Sequence, residues 1–260
     1  MGYGLFESLP VAGVYVLVTL LILGSCEVGY HLGHHARSRQ DKVASESLGP
    51  MVGGLLGMLA FVLAFTFSMA ATQNDKRKQG VLDEANAIGT AYLRTELLPA
   101  EEGAVLRQQL SEYVNERLRA VDQSNLASAL ARSVELHAQM WAQVAAAARK
   151  DANTNTALMA EALNQVIDMH ENRVSAALYN RIPGSVWIAL FAICGLAMLT
   201  LGTQIGLSGK RRLVAVLPLS LAFAVLVTLV VDIDRPQSGL IKVGQSSMLD
   251  LQQSMQDAAK

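Results

Sequence analysis

Apolar positions in this chain gather into four uncharged stretches. They are Val11 to Cys26, extendable to about Tyr30 if Glu27 lies at an interface, then Leu48 to Thr72, Ile182 to Leu207 and Leu213 to Val231. A helix needs roughly 20 apolar residues to cross a hydrocarbon core of about 30 Å. The last three stretches meet that length, and spans are expected over 11–30, 48–72, 182–207 and 213–231. The first is short enough to suggest a signal peptide. No basic residue precedes it, however, and Glu27 and a histidine cluster follow it.

Between the second and third stretches, residues 73–181 carry a different pattern. Leu106, Leu110, Tyr113, Val114 and Leu118 recur at i, i+4, i+7, i+8 and i+12, which is one face of a helix. Pro99 stops the helix before it, and Asp122 to Asn125 offers the next cap. Leu126, Leu130, Val134, Trp141 and Val144 continue the pattern, Asp151 to Asn155 marks a break, and Leu163, Val166, Ile167, His170, Val174 and Leu178 make the last stripe. Lys76 to Ala91 is helical in pattern too, so the second span is expected to continue out of the membrane as one long helix. The expected fold is an all-α integral membrane protein. Four transmembrane helices carry a helical-bundle domain, 73–181, between spans two and three, and a short tail, 232–260, closes the chain.

Composition removes several function classes. Of 260 residues, 52% are hydrophobic and 17% charged, against about 25% charged in soluble domains; a freely soluble enzyme is excluded. The net charge of −1 gives no basic excess for nucleic acid. Cys26 and Cys194 sit in apolar runs, so no disulfide framework is indicated. There is no glycine-rich phosphate loop, HExxH or nucleophile elbow, and no catalytic residue, metal or cofactor is expected. His137 and His170 stand alone in the pattern and read as core or surface residues; Trp141 reads as a packing residue and Trp187 as an interfacial anchor.

Charge also bears on orientation. Four spans put both short loops on one face of the membrane. Those loops hold Arg37, Arg39, Lys42, Lys210, Arg211 and Arg212, and positive residues in short loops prefer the cytoplasm. That places the bundle outside. Lys76, Arg77, Lys78, Arg181 and Arg235 lie on the bundle face and pull the other way; the short loops carry more weight in the rule.

Candidate sites fall in three places. Gly49, Gly53 and Gly57 recur every fourth residue on the second span, and Ala60, Ala64, Ser68 and Ala71 continue a ridge of small residues. Such ridges let membrane helices approach closely: the partner is a helix of the same subunit, or another copy around an axis. Phe61 and Phe65 lie one turn apart beside it, and Thr66 and Ser68 supply hydroxyls for a pore wall. No span carries a central charge, which argues against a proton relay or an ion-driven transporter. The second place is Asp83, Glu84, Asn86, Gly89, Thr90, Tyr92 and Arg94, a dense polar patch. Asp232, Asp234 and Arg235 leave the fourth span on the same face, and Glu84 with Arg235 is the expected ion pair. The third is Glu27, His31, His34 and His35 on one helical face, which reads as a metal pair, a pH response or a solvated interfacial cluster.

The stretch GLLGMLAFVLAFTFSMAATQNDKRKQGVLDEANAIGTAYLR (Gly54 to Arg94) resembles the bestrophin-like domain family, four-span membrane proteins of bacteria and plants. DIDRPQSGLIKV (Asp232 to Val243) and EVGYHLG (Glu27 to Gly33) resemble the same family's motifs. His34 and His35 stand where arginines are expected, and Gln237 where phenylalanine is. The family's remote relation to bestrophins implies a homo-oligomeric, chloride-type anion channel in a bacterial inner (plasma) membrane, with the bundle in the cytoplasm. The partners implied are the lipid bilayer, further copies of the chain and anions. The alternative is a non-conducting membrane protein whose bundle binds a partner or senses the cell envelope.

Overall fold

The computed structural model describes residues 9–37, 48–209, 213–235 and 239–258, without side chains at 213–215. Arg39, Lys42, Lys210, Arg211, Arg212, Pro236 and Gln237 therefore lie outside the described residues. Among the described residues the ordered elements are helices. In chain order they are α1 (Val11–Arg37), α2 (Leu48–Arg94), α3 (Ala100–Arg119), α4 (Leu126–Lys150), α5 (Thr154–Leu178), α6 (Gly184–Ser208), α7 (Leu213–Asp234) and α8 (Ser246–Ala258). Four of them, α1, α2, α6 and α7, are long and apolar enough to cross a membrane. The second apolar stretch and the polar stretch after it do form one helix, α2. A single 3-10 turn, Thr95–Leu97, separates it from Pro99, which caps α3.

The chain divides into two compact units. The first comprises Met1–Asn74 and Arg181–Ile241, the second Asp75–Asn180 and Lys242–Lys260. In the first, α1 turns Val14, Val18, Ile22 and Cys26 inward, and α6 turns Leu190, Cys194, Ala197 and Met198 inward. Close approach of these two helices rests on glycines. A Cβ built on Gly29 or Gly33 of α1 would overlap the backbone of Leu199 or Thr203. One on Gly202 or Gly206 of α6 would overlap the backbone around Cys26 and Tyr30. This is small-xxx-small packing on both partners. Gly209, at φ 71°, then ends α6 in the left-handed conformation glycine tolerates best.

The second unit has the apolar stripes expected for α3 and α5, with Leu106, Leu110, Tyr113 and Val114 buried on one and Leu163, Val166 and His170 on the other. The break at 151–153 is built as a capping box: the Asn153 side chain accepts from Thr156 N, and the Thr156 hydroxyl accepts from Asn153 N. Two expectations change here. Helix α4 buries Ala129, Ser133, Leu136, His137, Met140 and Val144, which leaves Val134 and Trp141 exposed rather than packed. And part of the tail forms α8, whose Met248 and Met255 are buried in the core of this unit beside Leu251. The spacing 248, 251, 255 is the i, i+3, i+7 of a helix face.

Candidate functional site

Helix α2 carries candidate residues in both units, and they meet opposite surroundings. Within the first unit it turns Val52, Leu59, Leu63, Thr66 and Ala70 inward. The opposite arc, Gly53, Gly57, Ala60, Ala64 and Ser68, is exposed, and Phe61 and Phe65 flank it at 73% and 57% exposure. Nothing lies within 4 Å of a Cβ built on Gly53, Gly54 or Gly57; at Gly49 one would meet only the Gln204 amide. Among the described residues the ridge is therefore an exposed surface and not internal packing. Thr66 is on the other side. It is fully buried, its hydroxyl donates to the Val62 carbonyl at 2.7 Å, and it is removed from the pore-wall candidates. Ser68 remains exposed.

Within the second unit, α2 delivers Glu84 into a buried ionic cluster. Its side chain has no exposure. Glu84 Oε1 lies 2.7 Å from Nε of Arg117 on α3, and Oε2 accepts from Arg173 of α5 at 2.5 Å. Tyr113 Oη donates to Oε1 at 2.6 Å. Arg173 reaches on to Gln245, just before α8, at 2.6 Å. One carboxylate thus ties α2, α3 and α5 together, and the second of its arginines holds the approach to α8.

The protonation states follow from the geometry. Burial pushes the Glu84 carboxyl up, but Arg117, Arg173 and the Tyr113 hydroxyl together outweigh it and hold it below the usual range. An ionised carboxylate only accepts, so the single Tyr113 proton is committed to Glu84. His170 Nδ1 lies 3.0 Å from the same hydroxyl and must therefore carry a proton and donate. The neutral tautomer is fixed by its neighbour. Burial, then the Arg117 charge, brings His170 down to about 3, and burial brings His137 down to about 4. The two rings stand edge to face at 4.8 Å, and His137 lies 4.7 Å from the Tyr113 ring. Burial and the Glu84 charge raise the Tyr113 phenol, while burial lowers Arg173.

Several expectations are corrected by this arrangement. Within its own unit Glu84 takes its cations from Arg117 and Arg173. His137 and His170 are neighbours rather than isolated. The rest of the polar patch has other work: Asp83 accepts from Gln79 at 2.8 Å, Arg94 donates to the Leu158 carbonyl at 2.7 Å, and the buried Tyr92 hydroxyl donates to the Met255 carbonyl at 3.4 Å. Gly89 faces Leu251 of α8, while Asn86 and Thr90 are exposed. In the first unit, Asp232 and Asp234 are also buried, but they hold backbone. Asp232 accepts from Leu240 N and Ile241 N at 2.9 and 3.0 Å, and Asp234 accepts from Ile182 N at 3.1 Å. Arg235 is buried directly after them. These two carboxylates thus hold the backbone of Ile182, Leu240 and Ile241. Of the histidine face, His31 pairs with Glu27 at 3.3 Å and His34 stacks on Tyr30. Among the described residues no three His, Cys, Asp or Glu side chains are grouped to hold a metal.

The pattern did carry a trace of the cluster. Arg117 falls four residues after Tyr113, on the stripe that starts at Leu106, and Arg173 falls three after His170. Arginines on otherwise apolar faces need a buried acid, and Glu84 is flanked by Val81, Ala85 and Ile88, all buried.

Comparison with known proteins agrees with the motifs at both ends. The model of the bestrophin-like domain matches residues 16–248. No curated protein and no solved structure matches the chain.

Proposed function

As the chain belongs to the bestrophin-like domain family, we propose that it is a homo-oligomeric membrane channel for anions in which the α2 ridge lines or borders the symmetry axis. The observation that carries this reading is the exposed arc from Gly53 to Ser68, which meets no partner among the described residues although its composition suits close helix approach. An axis surrounded by such arcs is narrow, uncharged and ringed by Phe61 and Phe65, with Ser68 as its hydroxyl. Anion pathways can be lined by hydroxyls, backbone dipoles and apolar rings, and apolar rings gate by dewetting. Selectivity for anions such as chloride is drawn from the family relation, which is an argument by analogy.

Purified full-length protein in a planar bilayer tests the reading. Single-channel currents that follow the chloride gradient are expected. Silence with insertion confirmed turns the assignment to the alternative, a non-conducting protein whose bundle binds a partner. Gly53→Leu and Gly57→Leu test the axis separately. Open space around both positions predicts an unchanged subunit fold and a smaller oligomer by light scattering. Wild-type oligomer size in both variants places the ridge against lipid.

A further inference from the structure

The buried ionic cluster of the second unit holds one positive charge more than it balances. Glu84 faces two guanidiniums, Arg117 and Arg173, and burial keeps both neighbouring histidines neutral at neutral pH. The charges that bear on Glu84, His170 and Arg173 all come from within the cluster. Its two arginines are used differently. Arg173 donates to Glu84 at 2.5 Å and to Gln245 at 2.6 Å. Arg117 is buried more deeply, with 4% of its side chain exposed against 12%. Its Nε lies 2.7 Å from Glu84 Oε1, but the N–H is not aligned with that oxygen, so the contact is an ion pair without a hydrogen bond. Its two Nη groups have no acceptor among the described residues. A guanidinium carries five donors, and buried charged groups are otherwise paired and hydrogen-bonded. His137 repeats the anomaly. It is 6% exposed, its Nε2 has no partner among the described residues, and it packs on the ring of Tyr113, one turn before Arg117 on α3.

We infer that Arg117 anchors a binding site for one small monovalent anion, held in the fork of its two Nη groups. Glu84 stands at the Nε edge, which leaves the Nη pair as the free edge. That fork matches the two oxygens of a carboxylate and also cups a halide. No hydrogen bond fixes the tautomer of the neutral His137, so its Nε2 can present a second proton to the same ligand. A water molecule accepts from these groups but leaves the excess charge in place, and an uncompensated buried charge is costly. One negative charge closes the balance, whereas a doubly charged anion overshoots it. The size limit follows from the burial of Arg117: a bulky anion does not reach the Nη groups unless the bundle opens. The site lies wholly in the second unit and does not depend on the channel reading.

Crystals of the full-length protein grown in bromide locate the anion by anomalous scattering. One peak per subunit within hydrogen-bond reach of the Arg117 Nη groups is expected; bromide at other positions only overturns the site. Affinity is read in solution, from the urea midpoint of the bundle as chloride replaces gluconate at constant ionic strength. A saturable rise is expected, because a ligand of the folded state stabilises it. Formate should act as chloride does, and the two should compete rather than add. A rise that does not saturate, or none, is a general salt effect, and a bromide peak at Arg117 without saturation is an adventitious ion only; each overturns the assignment. Arg117→Lys keeps the charge but loses the fork, and it should weaken chloride about tenfold, the size of one charge-assisted hydrogen bond. An unchanged chloride response in a folded Arg117→Lys places the anion elsewhere. Where that variant does not fold, the bromide position in the wild type decides.

Discussion

The two units hold helices together by opposite means. In the first, α1 and α6 approach through missing side chains: Gly29 and Gly33 against Gly202 and Gly206. In the second, helices are held around a buried carboxylate with two guanidiniums, under a cover of apolar residues. The difference fits the proposed settings, lipid for the first unit and water for the second. Lipid tails are as apolar as leucine, so burying leucine between membrane helices gains little, and close backbone approach supplies the dispersion energy instead. In a water-facing bundle, apolar burial drives association, and an ion cluster that must be complete before it is stable fixes which helices meet. Small residues alone are therefore not a sign of internal packing. The α2 ridge has the same spacing as the α1 and α6 glycines, in the same unit, yet it remains exposed.

The largest test of this contrast is Glu84→Ala. It leaves Arg117 and Arg173 buried without their acid and should cost about 3–5 kcal/mol in the second unit, read by chemical denaturation with a probe at Trp141. Arg117→Ala in the same background should cost less than the sum of the two single changes; strict additivity would dissolve the cluster as an energetic unit. Next comes a matched pair of glycines. Gly202→Ala should cost about 1–3 kcal/mol, because its Cβ meets backbone that cannot move aside cheaply, whereas Gly53→Ala should leave the thermal stability of the subunit unchanged. Equal effects in the two would remove the distinction between packed and exposed glycines.

A third expectation uses pH. His137 and His170 are held near 4 and 3 in the fold, below the ordinary value of about 6.5. Below pH 6.5 the unfolded chain binds protons that the folded one refuses, so stability falls as pH drops from about 6.5 towards 4, by up to about 1.4 kcal/mol per unit for each histidine. Glu84, held low, adds to the loss further down, once pH falls below the ordinary carboxylate value. His137→Phe should flatten the slope between pH 6.5 and 4. An unchanged slope would move the acid sensitivity elsewhere. The smallest effect belongs to the capping box: Asn153→Ala should cost about 1 kcal/mol, visible as a small shift in the melting of the second unit.

Local pattern was enough to read four apolar helices, the continuation of α2 past the membrane stretch, the stripes of α3 and α5 and the break before Thr154. Each of these depends on residues within a turn or two of one another, or on a length of uninterrupted apolar chain. The family motifs around Gly54 to Arg94 and Asp232 to Val243 were legible for the same reason. Tertiary structure decided the rest. The rotation of α4 turned Trp141 out and His137 in, and the rotation of α2 turned Thr66 in and Gly53 out. Which arginine meets Glu84, and whether Asp232 holds an ion or a backbone amide, are choices among partners far apart in the chain. Periodicity tells that a helix has a buried face. What that face meets depends on neighbours whose distance in sequence erases any local trace, and burial then makes the choice costly to reverse.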